Sequence, residues 1–500
     1  MGSTLDVRLI GKPGDGDVQL LSSTGTFQFS IKESRDSATL TILPETPAGV
    51  HWIRFVNDFG ATELMPFFVG LIPEISEVEP NNRLSEGNPA ASPSVTVNGV
   101  LEKSGDVDCY SVTLKAGQTI VASLQANRIL NSPMDGVLQL VNERGTVLVQ
   151  NDDDDGLDPL LSFTAPTDGT WYVRTFAFPA SPDSSIRFAG APTYVYRLIL
   201  TTEAFVDFCQ PRVRSRADSE SPLTLRGWNL ANASVSLPAS VSRLGIGVRP
   251  MDVPFVDLRS VTEPQLDTDR VVLPATAVSG IVETRDDDVF AINAVKGTSL
   301  SLMVRAQEFA SSLDPIVRIR DASGKVIQES DDISGENPDV SVRFNPPADG
   351  RYSLHVSDRF RHFGDRYFYV LQLEESRPAV RISAAKTAFV LPADKPLEIP
   401  LSISRIDGFE EPLDIRVEGL PEGVTAEPVR SEKDGDSSKT VTLKIAGASA
   451  TVRRVLFSIK ATTTAEGSQS FFAAMSLADR SETRELVLII PAPTAAASPN

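Results

Sequence analysis

A long stretch of this chain is written twice. Its landmarks run, in order, EVEPNN (Glu77 to Asn82), VNGVLEKSGDVDCYSV (Val97 to Val112), KAGQ (Lys115 to Gln118), NDDDDGLDP (Asn151 to Pro159) and FTAPTDGTWYV (Phe163 to Val173). They return as TEPQ (Thr262 to Gln265), VSGIVETRDDDVFAI (Val278 to Ile292), VKGT (Val295 to Thr298), SDDISGENP (Ser330 to Pro338) and FNPPADGRYSL (Phe344 to Leu354). Any fold assigned to one copy must therefore satisfy the other.

Alternating runs such as Tyr110, Val112, Leu114 and Ile120, Ala122, Leu124, parted by Gly, Asp, Asn and Pro clusters, predict short strands. Alternation sends every second side chain into a core. Asp168-Gly169 and Asp349-Gly350 sit just before aromatic, β-branched runs and read as tight turns in which Gly supplies a positive φ.

The order of these landmarks resembles the bacterial pre-peptidase C-terminal domain in both copies: EPNN, a G-D-x-D-x-aromatic strand, an A-G-x turn, an N-D-D acidic turn and an A-P-x-D-G-x-aromatic strand. The resemblance implies a jelly-roll β-sandwich, similar to the collagen-binding module of clostridial collagenases. It also implies an accessory or binding role beside secreted peptidases and other surface enzymes. The expected fold class is all-β, a series of tandem β-sandwich modules. Residues 77–202 and 260–375 would be the two pre-peptidase C-terminal units. Immunoglobulin-like modules are expected at residues 4–72, where Thr46 to Gly70 resembles the closing strands of such a module, at 203–258, opening on Leu223, Leu225, Gly227 and Asn229, and at 378–491. The segment 203–258 is short for an independent core and should pack against a neighbour. Ser431 to Lys439 reads as an exposed hairpin loop, and residues 492–500 as a flexible tail.

Composition narrows the partners. With 66 acidic and 47 basic residues the net charge is -19, which disfavours nucleic acid and anionic membrane and favours divalent cations. The longest apolar stretches, Leu64 to Pro73 and Glu485 to Pro491, are too short for a membrane span, which takes about 20 residues. The N-terminus lacks the charged and apolar regions of a signal peptide. Because the resembled family is exported, a secreted, cell-surface or periplasmic location is expected, with a leader outside this chain. Cys109 and Cys209 make no disulfide framework, and Val289 stands where the first copy has Cys109, so a buried small apolar site is expected there.

EVEPNN together with SGDVD is the leading site candidate. Calcium takes six to eight oxygen ligands, usually from several carboxylates and carbonyls. Glu77, Glu79, Asn81 and Asn82 offer four oxygen-bearing side chains, and Asp106 and Asp108, two apart on a strand, share one face. The matching segments bind calcium in the collagenase module this unit resembles. The alternative is a solvated acidic linker. In the second copy Glu263, Asp286 and Asp288 remain, but Val261, Gln265 and Leu266 replace the first Glu and the two Asn, so a weak or absent site is expected.

Asn151 to Gly156 partly fits an EF-hand loop, but Ser162 stands where a bidentate Glu is needed, so a solvated turn is the better reading. Enzyme motifs are missing. His51, His355 and His362 are scattered, and neither G-x-S-x-G nor H-E-x-x-H occurs. The Arg359 to Tyr369 run of Arg and aromatic residues is read as a loop and edge strand, with a recognition patch as the alternative. The sequence thus predicts a non-catalytic, calcium-stabilised binding or scaffold protein that contacts an extracellular protein or polysaccharide, an adhesion role. The alternative is the accessory region of a secreted peptidase or other hydrolase.

Overall fold

Alternation becomes packed sheets most clearly between Glu74 and Thr201. Val147–Asn151, Met134–Val141, Gly169–Pro179, Asp108–Leu114 and Asn88–Pro89 lie side by side in one sheet; Leu160–Thr164, Thr119–Gln125, Val195–Thr201, Ser94–Val100 and Glu74–Ser76 form the other. Each sheet ends on a short parallel strand. Val97, Tyr110, Val112, Leu114, Leu124, Leu138, Val173 and Leu198 fill the space between them.

The computed structural model describes residues 2–9, 16–90, 93–181, 187–218, 220–266, 269–334, 337–449, 453–463, 469–476 and 482–491. The expected tail, residues 492–500, lies outside them. The chain is all-β, built of many small sheets, and divides into one unit of Gly70–Ser376 and another of Met1–Val69 with Arg377–Asn500.

In the first of these units a second sandwich repeats the strand order of the first. One sheet runs Val326–Ser330, Pro315–Arg320, Gly350–Asp358, Asp288–Ala294; its partner runs Val340–Phe344, Leu300–Arg305, Phe368–Glu375, Thr276–Ile281, Arg259–Thr262. Phe290, Ile292, Leu302, Val317, Leu354 and Leu371 are among its core residues. The segment between the two sandwiches packs against both. Phe205 and Val248 join Val121, Leu160 and Ile199 of the first. Phe208, Val213 and Leu258 join Ala277, Ile281, Phe309 and Phe368 of the second, with the Phe208 and Phe368 rings stacked at 4.2 Å.

In the other unit, residues 3–69 form two small sheets, and the one made of Gln19–Ser22, Gly49–Val56 and Met65–Val69 shares a buried cluster with the far end of the sequence. Val56 packs with Val487 and Ile489, and the buried Arg54 donates to Thr387 Oγ1. The two cysteines are buried and unbridged.

Three local readings need correction. The two Asp-Gly turns differ in their use of glycine. Gly350 has the expected positive φ, +153°, but Gly169 does not, and in the paired turns Gly117 at +79° and Gly297 at +90° also take that freedom. The aspartates do the stapling: Asp168 accepts the Ala116 N–H at 2.9 Å and Asp349 the Lys296 N–H at 2.7 Å. Ser431 to Lys439 does not close a hairpin, because Val429–Ser431 pairs with Leu413–Glu418 whereas Thr440–Gly447 pairs with Leu397–Ile406. Phe368 and Tyr369 open a central strand, not an edge, since Phe368–Glu375 has a neighbour on each side.

Candidate acidic site of the first sandwich

The acidic linker reaches the sandwich where two strand ends meet. Glu77 extends the parallel edge, its N–H donating to Asn98 O at 3.1 Å, while Asn81 O accepts from Cys109 N at 3.1 Å. Oxygens of Glu77, Glu79 and Asp108 consequently lie within 4.8 Å of one another. Asp106 and Asn81 are buried beside them in sequence, at 1% and 0% exposure, and Asp108 is at 0%.

Each carboxylate is held. Glu77 Oε1 accepts from Val100 N at 2.6 Å, Glu79 Oε2 from Asn81 N at 3.0 Å and Asp106 Oδ2 from Glu102 N at 2.6 Å. Asn82 Oδ1 takes the Val107 N–H at 3.3 Å. Two tyrosines complete the floor: the Tyr196 hydroxyl lies 2.5 Å from both Asp108 Oδ2 and the Tyr110 hydroxyl, and 3.2 Å from Glu77 Oε2. Burial, ahead of Tyr110 and Asp108, keeps the Tyr196 hydroxyl well above its ordinary pKa, so it remains a proton donor.

What is left over defines the site. Asn81 Oδ1 and Nδ2, Asp106 Oδ1 and Asp108 Oδ1 are buried with no hydrogen-bond partner. Among the described residues, no Lys or Arg forms an ion pair with Glu77, Glu79, Asp106 or Asp108. Burial, and next the Glu77 charge, push the Asp108 carboxyl far above the usual range. Without a cation beside it, this corner disfavours the Asp108 anion.

Tyr196 and Tyr110 were not singled out from sequence. A signal was available in the repeat: Tyr196 and Tyr369 follow matching aromatic patterns, and Gly99 and Gly280 recur in VNGV and VSGI. A Cβ on Gly99 would lie 2.3 Å from the Tyr196 ring, and one on Gly280 2.5 Å from Tyr369. Only glycine lets the ring cross the strand. Gly99→Ala should therefore cost about 1–3 kcal/mol of stability through overpacking, as read by urea denaturation; an unchanged midpoint would contradict this packing.

The second sandwich does not assemble the same set. Asp286, which follows the sequence position of Asp106, is exposed. Glu263 takes the role of Glu77, accepting from Ile281 N at 3.2 Å, and Tyr369 donates to Asp288 Oδ2 at 2.9 Å. Here, however, Glu263 is ion-paired to Arg270. Burial followed by Glu263 pushes Asp288 up to about 7, with Tyr369 and Arg270 pulling the other way.

The other sequence candidates resolve differently. The acidic turn is not simply solvated: Asp155 pairs with Arg128, and Asp154 lies 3.3 Å from Arg366 Nε, leaving Asp152 and Asp153 exposed. His51 is buried, with Pro47 O at 2.7 Å from Nε2. His355 stands between Ser353 Oγ at 3.0 Å and Asp287 Oδ2 at 3.2 Å, the bonding order of a hydrolase triad. Asp287 is shared with Arg361, however, and Ser353 and His355 pair with Ala291 and Val289 within the sheet ladder.

Part of the first sandwich matches a known module. Residues 106–177 match the bacterial pre-peptidase C-terminal domain. The chain is 32% identical over 173 residues to a probable subtilase-type serine protease of Deinococcus radiodurans, a match covering 34% of this chain and 21% of that protein. It thus spans about a fifth of that relative's length. Among solved structures it is similar to the pre-peptidase C-terminal domain of a Bacillus anthracis collagenase, at 18% identity and TM-score 0.18, covering 24% of this chain and 98% of that one. It is also similar to the M60 catalytic domain with two CBM51 domains of Clostridium perfringens ZmpB, at 8% identity and TM-score 0.14, over 69% and 51% of the two chains. Among the described residues no helix is long and apolar enough to cross a membrane.

Proposed function

We propose that the chain is a non-catalytic accessory region of an exported protein, with calcium fixing the acidic linker to the first pre-peptidase C-terminal sandwich. The supporting observation is the set of buried oxygens without partners on Asn81, Asp106 and Asp108. Leaving a buried polar group unsatisfied costs roughly 1–3 kcal/mol, and more for a charged one. A hard divalent cation answers both the missing partners and the missing positive charge. Glu77, Glu79, Asp106, Asp108 and Asn81 would hold it, with Asn82 supporting the strand turn. When bound, the ion supplies charge neutralisation and links the linker to the sheet; the tyrosines orient two of the carboxylates.

The second sandwich is read as a second copy of the domain, and the flanking modules as immunoglobulin-like. Exposed sheet faces would meet an extracellular protein or polysaccharide. The match to a subtilase-type protease favours a role beside a secreted hydrolase over a free-standing adhesin. Equilibrium dialysis with radioactive calcium tests the reading. Binding with Kd on the order of 10⁻⁴–10⁻³ M, usual for extracellular modules, and its loss in Glu77→Gln are expected. No binding at roughly 10 mM, ten times the weaker limit, would refute it.

A further inference from the structure

We propose that the second sandwich carries a latent divalent-cation site closed by the chain's own guanidinium, Arg270, so that only the first sandwich responds to a free ion. The argument starts from equivalent positions. Glu77 and Glu263 each accept the N–H that follows the glycine recurring in both sandwiches, Val100 in one and Ile281 in the other. Tyr196 and Tyr369 each cross that glycine and donate to the first aspartate of the facing strand, Asp108 or Asp288. The frames agree, and the cation differs.

In the first sandwich the linker brings Glu79 and Asn81 to the frame, and no guanidinium or ammonium pairs with its carboxylates among the described residues. In the second, a shorter linker delivers Arg270. Its Nη2 donates to Glu263 Oε1, its Nε donates to Val289 O at 2.8 Å, and its guanidinium lies 4.7 Å from the centre of the Phe290 ring. The backbone is clamped as well, Ala291 N donating to Arg270 O and Val272 N to Ala291 O, both at 2.9 Å.

A coordinated substitution supports the exchange. Tyr110, whose hydroxyl faces Glu77 and Tyr196 in the first sandwich, is matched by Phe290 in the second. Phenylalanine gives up a hydroxyl that the acidic frame would use and offers a bare ring face to a guanidinium. Each sandwich therefore has an aromatic suited to its own cation. Divalent-ion control would act on the first junction alone, while the second is held at any ion concentration. The calcium reading underlies only the statement about the first sandwich; the Arg270 contacts stand apart from it.

The test is hydrogen exchange on the full chain, wild type, Arg270→Gln and Arg270→Lys, in chelator and in millimolar calcium. Wild-type amides of Asp288–Ala294 should exchange at the same rate in both. In Arg270→Gln they should exchange about tenfold or more faster in chelator, as expected for loss of a charged hydrogen bond, and calcium should restore part of the protection. Arg270→Lys, which keeps the charge but not the fork, should fall between. Arg270→Gln as protected as wild type in chelator, calcium failing to restore the variant, or calcium protecting wild-type Asp288–Ala294 would each overturn the proposal. Asp108–Leu114 amides in the same samples report on calcium at the first sandwich, so a failure there is seen separately.

Discussion

Arg366→Ala should destabilise Gly70–Ser376 by about 3 kcal/mol or more, the scale seen when one partner of a buried ion pair is removed. Arg366 leaves the second sandwich to meet both preceding parts of this unit. Its Nη1 donates to Asp207 Oδ1 at 3.1 Å, its Nε lies 3.3 Å from Asp154 Oδ1, and its Nη2 donates to Asp154 O at 3.2 Å and Ala310 O at 3.1 Å. Ser312 Oγ adds a bond to Asp154 O at 3.3 Å. With the guanidinium gone, Asp207 retains only Arg249 at 3.9 Å as an ion-pair partner among the described residues. A lysine keeps the charge without the planar fork, so Arg366→Lys should recover part of the loss.

The deficit should depend on pH in a defined direction. Burial, in spite of Arg366, pushes Asp154 up to about 6. A carboxyl with a raised folded-state pKa favours the fold below its unfolded value and loses that contribution as pH rises through the folded value. Removing Arg366 takes away the positive charge that lowers this pKa, so Asp154 is protonated over a wider range in the variant. The Arg366→Ala deficit should be largest above neutrality and should shrink toward pH 5, as followed by urea denaturation across that range. A deficit independent of pH would place the loss in packing and not in the ion pair.

Local pattern carried most of what was readable in advance. Strands such as Asp108–Leu114 and Thr119–Gln125 bury one face, so period-two alternation marks them directly. The acidic candidates were visible because residue type restricts calcium ligands, and Glu77, Asp106 and Asp108 stand close in sequence to the turn that joins them. Long-range partners left no such trace. Tyr196 reaches the site across Gly99 from a strand far along the chain, and nothing in its neighbours names Asp108 as its acceptor. Arg270 lies in a linker too different from the first for the repeat to expose its role. Asp154 looked like one more solvated aspartate because its partner, Arg366, belongs to a run whose own pattern reads as a loop. Val56 and Val487 meet only once both ends of the sequence have folded.

Calcium should raise the stability of the first sandwich in wild type, whereas Asp108→Asn should raise it in chelator and abolish the calcium response. The two signs come from one cause. Without an ion, Asp108 is a buried carboxyl facing Glu77, with one oxygen unpartnered. Asparagine has nearly the same shape, keeps an acceptor for the Tyr196 hydroxyl and is neutral without taking up a proton, so it avoids the cost of burying that carboxyl's charge or of protonating it on folding. With an ion present, that same charge is what holds it. For a Kd of about 10⁻⁴–10⁻³ M, 10 mM calcium is roughly 10 to 100 times Kd and stabilises by about 1.4–2.7 kcal/mol. Thermal melts of both proteins in chelator and in calcium give the answer. Magnesium should do less, because it demands octahedral geometry and sheds water reluctantly. An Asp108→Asn midpoint that falls in chelator would make this aspartate a structural acceptor for Tyr196, and one that still climbs with calcium would move the ion elsewhere.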